Sequence, residues 1–235
     1  MIPGDELAFE RIERIVHHRR IWCARPDTLN DPVEFAWTCD FEESPMTANL
    51  VAELLQETNG RSPSIARQIA FDVIRRGKLR ELCAPVIDDM IQRQRNEVGI
   101  ACFGTAPGNP TLWERYGGNG AGVCVELDVS DSLLGNQLHR VVYDDQRRIH
   151  IDNFLQARND RHFAAKVYAA LLTKMRRWEP EGEIRFISKR QQVEVVIDGS
   201  TVTKVILGSI LDPLVAVRVE GLAGAIPVAT SRIPV

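Results

Sequence analysis

Glu181, Glu183 and Arg185 are the residues whose types and spacing could most directly do chemistry. They lie in the run Trp178-Glu179-Pro180-Glu181-Gly182-Glu183-Ile184-Arg185-Phe186. Pro180 lacks an amide hydrogen and cannot extend a helix that reaches it, so the chain is expected to leave that helix near Trp178. A strand starting at about Glu181 would put Glu181, Glu183 and Arg185 on one face and Ile184 and Phe186 on the core face. Same-face neighbours then lie roughly 6–7 Å apart along the backbone. That is a convergent pair of carboxylates with a cation beside them. Charges alternating on a solvent face, with Arg185 neutralising both glutamates, would produce the same pattern. Trp178 adds a large aromatic beside charged groups, which is how a flat ring is held.

Other candidates carry less. Gly117, Gly118, Gly120 and Gly122 form a glycine cluster. A phosphate cradle needs the order strand, glycine loop, helix, and here the glycines follow a helical turn and precede a strand. The cluster therefore reads as a flexible connection whose backbone a ligand could approach closely. The five cysteines (Cys23, Cys39, Cys83, Cys102, Cys124) are irregularly spaced without a CxxC pair, which points to reduced thiols. Cys102 and Cys124, set among apolar neighbours, read as inert core. His17, His18, His139, His150 and His162 show no metal-ligand spacing. A magnesium ion on Asp31, Glu34, Glu126 or Glu181 has no motif behind it, and no metal is expected.

The elements that must position these groups follow from periodicity. A first helix places Leu7, Ile12, Ile15 and Val16 on one side, and a short strand, Ile21–Ala24, leads into an ordered corner at Leu29-Asn30-Asp31-Pro32. From 45 to 97 three helical stretches (Ala48–Glu57, Ser64–Arg76 behind a serine cap, and Lys78–Arg95 with Pro85 disturbing its start) read as an insertion between strands. Val98–Gly104 and Val123–Asp128 read as strands around a helical turn at Thr111–Tyr116. Val141–Tyr143 continues in strand style. One long helix is expected from Asp152 to about Arg176. The last 55 residues read as β-rich, with strands at Gly182–Ser188, Val193–Ile197, Val202–Leu207, Leu214–Val219 and Ile226–Ala229. Strands, then helices, then strands, without βαβ alternation, predict an α+β fold: a mostly antiparallel sheet with a helical insertion and one long helix packed on it. The expectation is a single domain over 1–235.

The 235 residues can bury a core without disulfides or a structural metal. No apolar run approaches the ~20 residues of a membrane span, so no membrane partner is expected. The opening MIPGDELAFERIERIV carries acids early and lacks the basic-then-apolar order of a secretory signal, so a cytoplasmic location is expected. A net charge of −3 exerts no global pull on nucleic acid. Local basic clusters (His17 to Arg20, Arg75-Arg76, Arg93 with Arg95, Arg147-Arg148, Lys174 with Arg176-Arg177) leave nucleic acid open as a partner if folding gathers several of them.

The chain resembles the prokaryotic domain-of-unknown-function family 2971. The matching pieces are Ile21-Trp22-Cys23-Ala24 with Leu29 to Glu34, Ala101 to Gly104, Leu112-Trp113-Glu114-Arg115-Tyr116 with Gly120 to Val125, and Val142-Tyr143. Lys174 and Trp178 with Glu181, Glu183 and Arg185, and Val205 to Gly208, complete them in order over most of the chain. That layout is similar, more distantly, to the ADP-ribosyltransferase superfold, in which a late strand carries a Glu-x-Glu. The resemblance implies NAD as a substrate, cleaved through an oxocarbenium-like state, in a toxin or defence effector. It places Glu183 against the ribose and Glu181 at the acceptor as catalytic residues. It puts Tyr116, Trp113, Arg185, Asn30, Asp31, Trp178 and Arg25 around the substrate, with Tyr116 or Trp113 stacking on nicotinamide. The family's short Tyr/Arg-containing first strand has no counterpart here, so Arg25 or Arg20 would take the NAD-anchoring place. Two other readings stay open: a non-catalytic ligand- or partner-binding domain whose Glu-x-Glu-x-Arg row is a salt-bridge ladder, and a carboxylate-metal nuclease.

Overall fold

The computed structural model describes residues 6–31, 38–129, 137–146, 148–157, 172–197 and 202–233, without the side chain at 94. They fall into two units. The first gathers Met1–Thr28, Val98–Val141 and Arg176–Val235; the second gathers Leu29–Glu97 and Val142–Met175. The fold is α+β with mostly antiparallel pairing, as expected.

In the first unit, α1 (Glu6–Val16) buries Ala8, Phe9, Ile12 and Val16. Leu7, expected on that side, is 51% exposed, because 100° per residue turns it away from the stripe. After β1 (Arg20–Cys23), a 3₁₀ turn at Pro26–Thr28 precedes the Leu29–Asn30 corner; Pro32 lies outside the described residues. The central sheet is built from β3 (Gly99–Gly104), β9 (Glu183–Ser188) and β5 (Leu138–Arg140), in the order β3-β9-β5 and antiparallel throughout. β1 pairs antiparallel with β10 (Val193–Val196). It joins β3 through a bridge between Ala24 and Ile100. Ala101, Phe103, Phe186 and Leu138 supply one face of the central sheet and pack with Ile21, Cys23 and Ile197. Phe186 thus lies in a core as expected.

A second sheet of the same unit has β4 (Val123–Leu127) antiparallel to β11 (Val202–Leu207), and β11 parallel to β12 (Val228–Thr230). Val123, Val205 and Leu207 of this sheet form a core with Phe9, Ile12 and Val16 of α1 and with Val219 and Ala223. The last two belong to a helix, α7 (Pro213–Ala223), where a strand was expected over Leu214–Val219. The valines favour a strand by type. Asp212 overrides them: its carboxylate accepts from the Leu214 amide at 2.9 Å and the Val215 amide at 3.2 Å, with Pro213 at the first helical position.

The glycine cluster is a packing device rather than a loose connection. Gly208 donates its amide to the Gly122 carbonyl at 2.8 Å, and Ile210 donates to the Gly120 carbonyl at 3.1 Å. A Cβ on Gly208 would lie 1.9 Å from the Gly120 oxygen. Gly118 (φ 55°) and Gly120 (φ 91°) take left-handed backbone at this crossing.

The second unit contains α2 (Thr47–Asn59), α3 (Pro63–Arg75) and α4 (Leu79–Glu97), with Pro63 at the start of α3 and Ser62 at its cap position. These are the three helices expected between 45 and 97, and α4 runs on through Pro85. The end of Gly60, at φ 60°, closes α2. Val51, Leu54, Leu55, Leu79, Cys83 and Ile87 pack with Ile151, Phe154 and Leu155 of α6 (Ile151–Ala157). Asp152 ties the two parts of this unit together by accepting hydroxyl bonds from Ser44 and, at 2.8 Å, from Thr47.

Short strands β2 (Thr38–Asp40) and β7 (Arg148–His150) pair in parallel, as do β6 (Val142–Tyr143) and β8 (Thr173–Lys174). β8 corrects the long helix expected to Arg176. The helix is present at 151–157, 158–171 lie outside the described residues, and by Thr173 the backbone is extended. The Val142 amide takes the Leu172 carbonyl at 2.8 Å and the Asp144 amide takes that of Lys174 at 2.9 Å, bonds that a continuing helix would have used internally. No helix among the described residues is long and apolar enough to cross a membrane.

Candidate functional site

Strand β9 begins at Glu183, later than the expected start at about Glu181 to Gly182, and this changes the geometry of the carboxylate pair. Arg176–Glu181 form a 3₁₀ turn that accommodates Pro180. Gly182, at φ +55°, turns the chain from it into the strand. Glu181 therefore belongs to the turn and Glu183 to the sheet, and period-two alternation holds from Glu183 onward. Gly182 is the residue that permits the corner, since a side chain there would be strained and its Cβ would sit 3.1 Å from the Thr105 hydroxyl.

The charges do not lie on a solvent face. Glu181 is 1%, Glu183 6% and Arg185 0% exposed. Arg185 grips Glu183 with two bonds, Nε to Oε1 at 2.6 Å and Nη2 to Oε2 at 3.2 Å. Glu181 has other partners: its Oε1 accepts from Arg115 Nη1 at 2.8 Å and from the Tyr116 hydroxyl at 3.0 Å. Arg115 also lies over the Trp178 ring, its guanidinium carbon 4.4 Å from the centroid, and that of Arg177 lies 5.5 Å from it. Cation–π contacts thus engage the indole, which was expected to hold a ligand ring.

Helix α5 (Pro110–Tyr116) delivers Arg115 and Tyr116 to this place. In-register residues of neighbouring strands share a face, so Gly104 stands beside Glu183, and Cys102 and His139 flank Arg185. A Cβ on Gly104 would meet Leu112 of α5 at 2.2 Å. Leu112 therefore rests on the face of the sheet that carries Glu183, and α5 lies over it. Trp113, on the same helix, is buried at 6% exposure and donates its indole N–H to the Pro107 carbonyl at 2.7 Å. That orientation makes Trp113 an anchor of α5. Tyr116 remains 40% exposed and is the aromatic of the expected set that combines exposure with a bond to a site glutamate.

Asn109, Arg115, Gly104 and Gly182 belong to the site, although the sequence gives none of them a site role. Asn109-Pro110 is a cap followed by a first-turn proline, a signal that fixes the start of α5. Nothing in the sequence points Arg115 at Glu181, a residue 66 positions away. Arg25, expected to anchor NAD, is bound to Asp27 through Nε at 2.9 Å and Nη2 at 2.6 Å. Arg20, its alternate, reaches Glu194 at 3.2 Å. Asn30, exposed, and Asp31, 3% exposed, belong to the second unit.

The thiols divide by environment. Burial pushes the Cys23 thiol up to about 11 and that of Cys39 up to about 12, and raises that of Cys124. Cys102, expected to be buried, is exposed. It projects to the charged face of the central sheet, while Ala101 and Phe103 take the core face. Of the basic clusters, Arg75 and Arg76 both pair with Asp72, and Arg93 pairs with Asp89. Among the described residues no group of three or more His, Cys, Asp or Glu side chains could hold a metal ion.

Comparison with known proteins finds no family model that matches the chain, and no curated protein or solved structure similar to it.

Proposed function

We propose that the first unit is an NAD-consuming, ADP-ribosyltransferase-like enzyme, with Glu183 at the ribose and Glu181 at the acceptor. The observation that carries this reading is the burial of both glutamates, each with its own cation, where α5 meets the start of β9. Taking a carboxylate out of water costs several kcal/mol even after relaxation. Buried, preorganised charge is also what stabilises charge that develops in a transition state.

The chemistry follows from these positions. As the bond between ribose C1′ and the nicotinamide nitrogen breaks, its electron pair leaves with nicotinamide and positive charge develops on the ribose. Glu183, held by two bonds from Arg185, supplies a fixed negative charge against it. A lone pair of the acceptor forms the new bond to C1′, and Glu181 takes the proton the acceptor loses. Tyr116 lines the exposed side. The acceptor would be a protein or a nucleic acid, and the biological role that of a toxin or defence effector.

The non-catalytic reading, a ligand- or partner-binding domain, draws on a different observation: Arg185 occupies both oxygens of Glu183 within a buried pair. Incubation of the purified protein with NAD separates the two. Nicotinamide release by wild type, falling about 10²- to 10³-fold in Glu183→Gln, is expected for the enzyme. Equal rates, or no release across a broad set of protein and nucleic-acid acceptors, would sink it and leave the binding domain. Nucleic-acid cleavage abolished by chelator would instead mark the carboxylate-metal nuclease.

A further inference from the structure

We propose that Asn109 is a positioning residue for Glu181, fastening together the two elements that must meet for Arg115 and Tyr116 to hold that carboxylate. The inference rests on the assignment of Glu181 as the acceptor-side base.

One side chain makes two sets of bonds. Its Oδ1 accepts from the Thr111 amide at 2.9 Å and the Leu112 amide at 3.4 Å, capping α5. Its Nδ2 donates to the Pro180 carbonyl at 2.8 Å and the Glu181 carbonyl at 3.2 Å, in the 3₁₀ turn. Serine, threonine or aspartate would cap the helix about as well. Only a carboxamide carries an acceptor and a two-proton donor at once, and asparagine presents it on the single carbon that capping geometry requires.

The prolines explain why a side chain makes the link. Pro110 and Pro180 have no amide hydrogen, so neither element offers a backbone donor at that position. Once the start of α5 is fixed, the helical repeat dictates where Arg115 and Tyr116 stand. Once the Pro180 and Glu181 carbonyls are fixed, the Glu181 side chain has a defined origin. Asn109 sets both from one point, and the pairing of Arg115 and Tyr116 with Glu181 Oε1 is the consequence. The stacking of Arg115 on Trp178 depends on the same alignment and reports it.

Asn109→Asp keeps the cap and removes the donors, and Asn109→Ser does so without adding charge. Two measurements on the full chain test the proposal: the NMR signal of the Trp178 indole N–H, identified by its loss in Trp178→Phe, and NAD turnover. Both variants are expected to fold, to shift the Trp178 signal, and to lower kcat roughly 10- to 100-fold, as small misplacements do, with KM within about twofold. Asn109→Asp combined with Glu181→Gln should be no slower than Glu181→Gln alone. Losses that multiply, or a change confined to KM, would overturn the proposal. If wild type releases no nicotinamide, the NAD reading fails by itself. The indole signal then decides the positioning role, and a signal unmoved in both variants overturns it.

Discussion

Glu181, Glu183 and Arg185 have residue types that ordinarily stay in water, and their burial is tolerable because each charge meets its opposite at hydrogen-bond distance. The spacing in the sequence was legible, and so was the strand that carries Glu183 and Arg185. The register of Glu181 was not, because Gly182 at positive φ breaks the alternation that the pattern assumes. Cys102 shows the same weakness: apolar neighbours suggested core, yet alternation put it on the opposite face. The thiols give a test at this scale. At pH 8 a short exposure to iodoacetamide should label Cys102 first, leaving Cys23 and Cys39, whose thiols burial holds at about 11 and about 12, essentially unmodified. Peptide mapping that finds Cys23 or Cys39 labelled as fast as Cys102 would contradict the assigned environments.

Elements are legible in the sequence where one local signal dominates. The three helices between 45 and 97 and the strands around 99–104, 123–127 and 202–207 match their expected places closely. Where two signals compete, the local pattern does not decide the element. At α7 the valines argued for a strand and the Asp212-Pro213 cap for a helix, and the cap prevailed. Near Thr173, periodicity favours a helix where the backbone instead pairs with Val142–Tyr143. The strands at 38–40, 138–140, 148–150 and 173–174 are too short to announce themselves, since two or three residues define no alternation. The glycine crossing makes a prediction at this level. Gly208→Ala would drive a methyl into the Gly120 carbonyl, a backbone atom that cannot rotate away. The variant should lose about 1–3 kcal/mol or more, the cost of overpacking a site that cannot relax, read as a lower urea midpoint. Gly221→Ala, where a Cβ meets nothing, should leave the midpoint unchanged or raised.

At the scale of the whole molecule, charge acts through a few surface ties rather than through the net value of −3. Glu194 accepts from Arg14 and, at 3.2 Å, from Arg20; these bonds, that of Arg14 foremost, hold its carboxyl below the ordinary glutamate value. Asp72, through Arg75 and Arg76, and Glu6, through Arg218, are lowered in the same sense. A carboxyl depressed in the folded state stabilises fully above its unfolded pKa and loses that contribution as pH falls through its folded value. Wild type should therefore exceed Glu194→Gln in thermal midpoint at pH 7, with the gap closing as pH drops below 4.5, the value from which Glu194 is lowered. High salt should narrow the gap at pH 7. A difference constant from pH 7 to pH 3 would remove the ion pairs as its cause.

The sequence by itself determined the α+β class, the helical stretch between 45 and 97, the strand bearing Glu183 and Arg185, and a helix ending at Tyr116. Each rests on interactions within a few residues: a cap, a period, a proline. Tertiary structure alone decided what those elements do to one another. It put Leu112 over Gly104, joined Arg115 and Tyr116 to Glu181, closed Arg185 around Glu183 away from water, and pressed Gly208 onto Gly120. Contacts between residues tens of positions apart depend on how whole elements pack, and no local pattern in the chain encodes that distance.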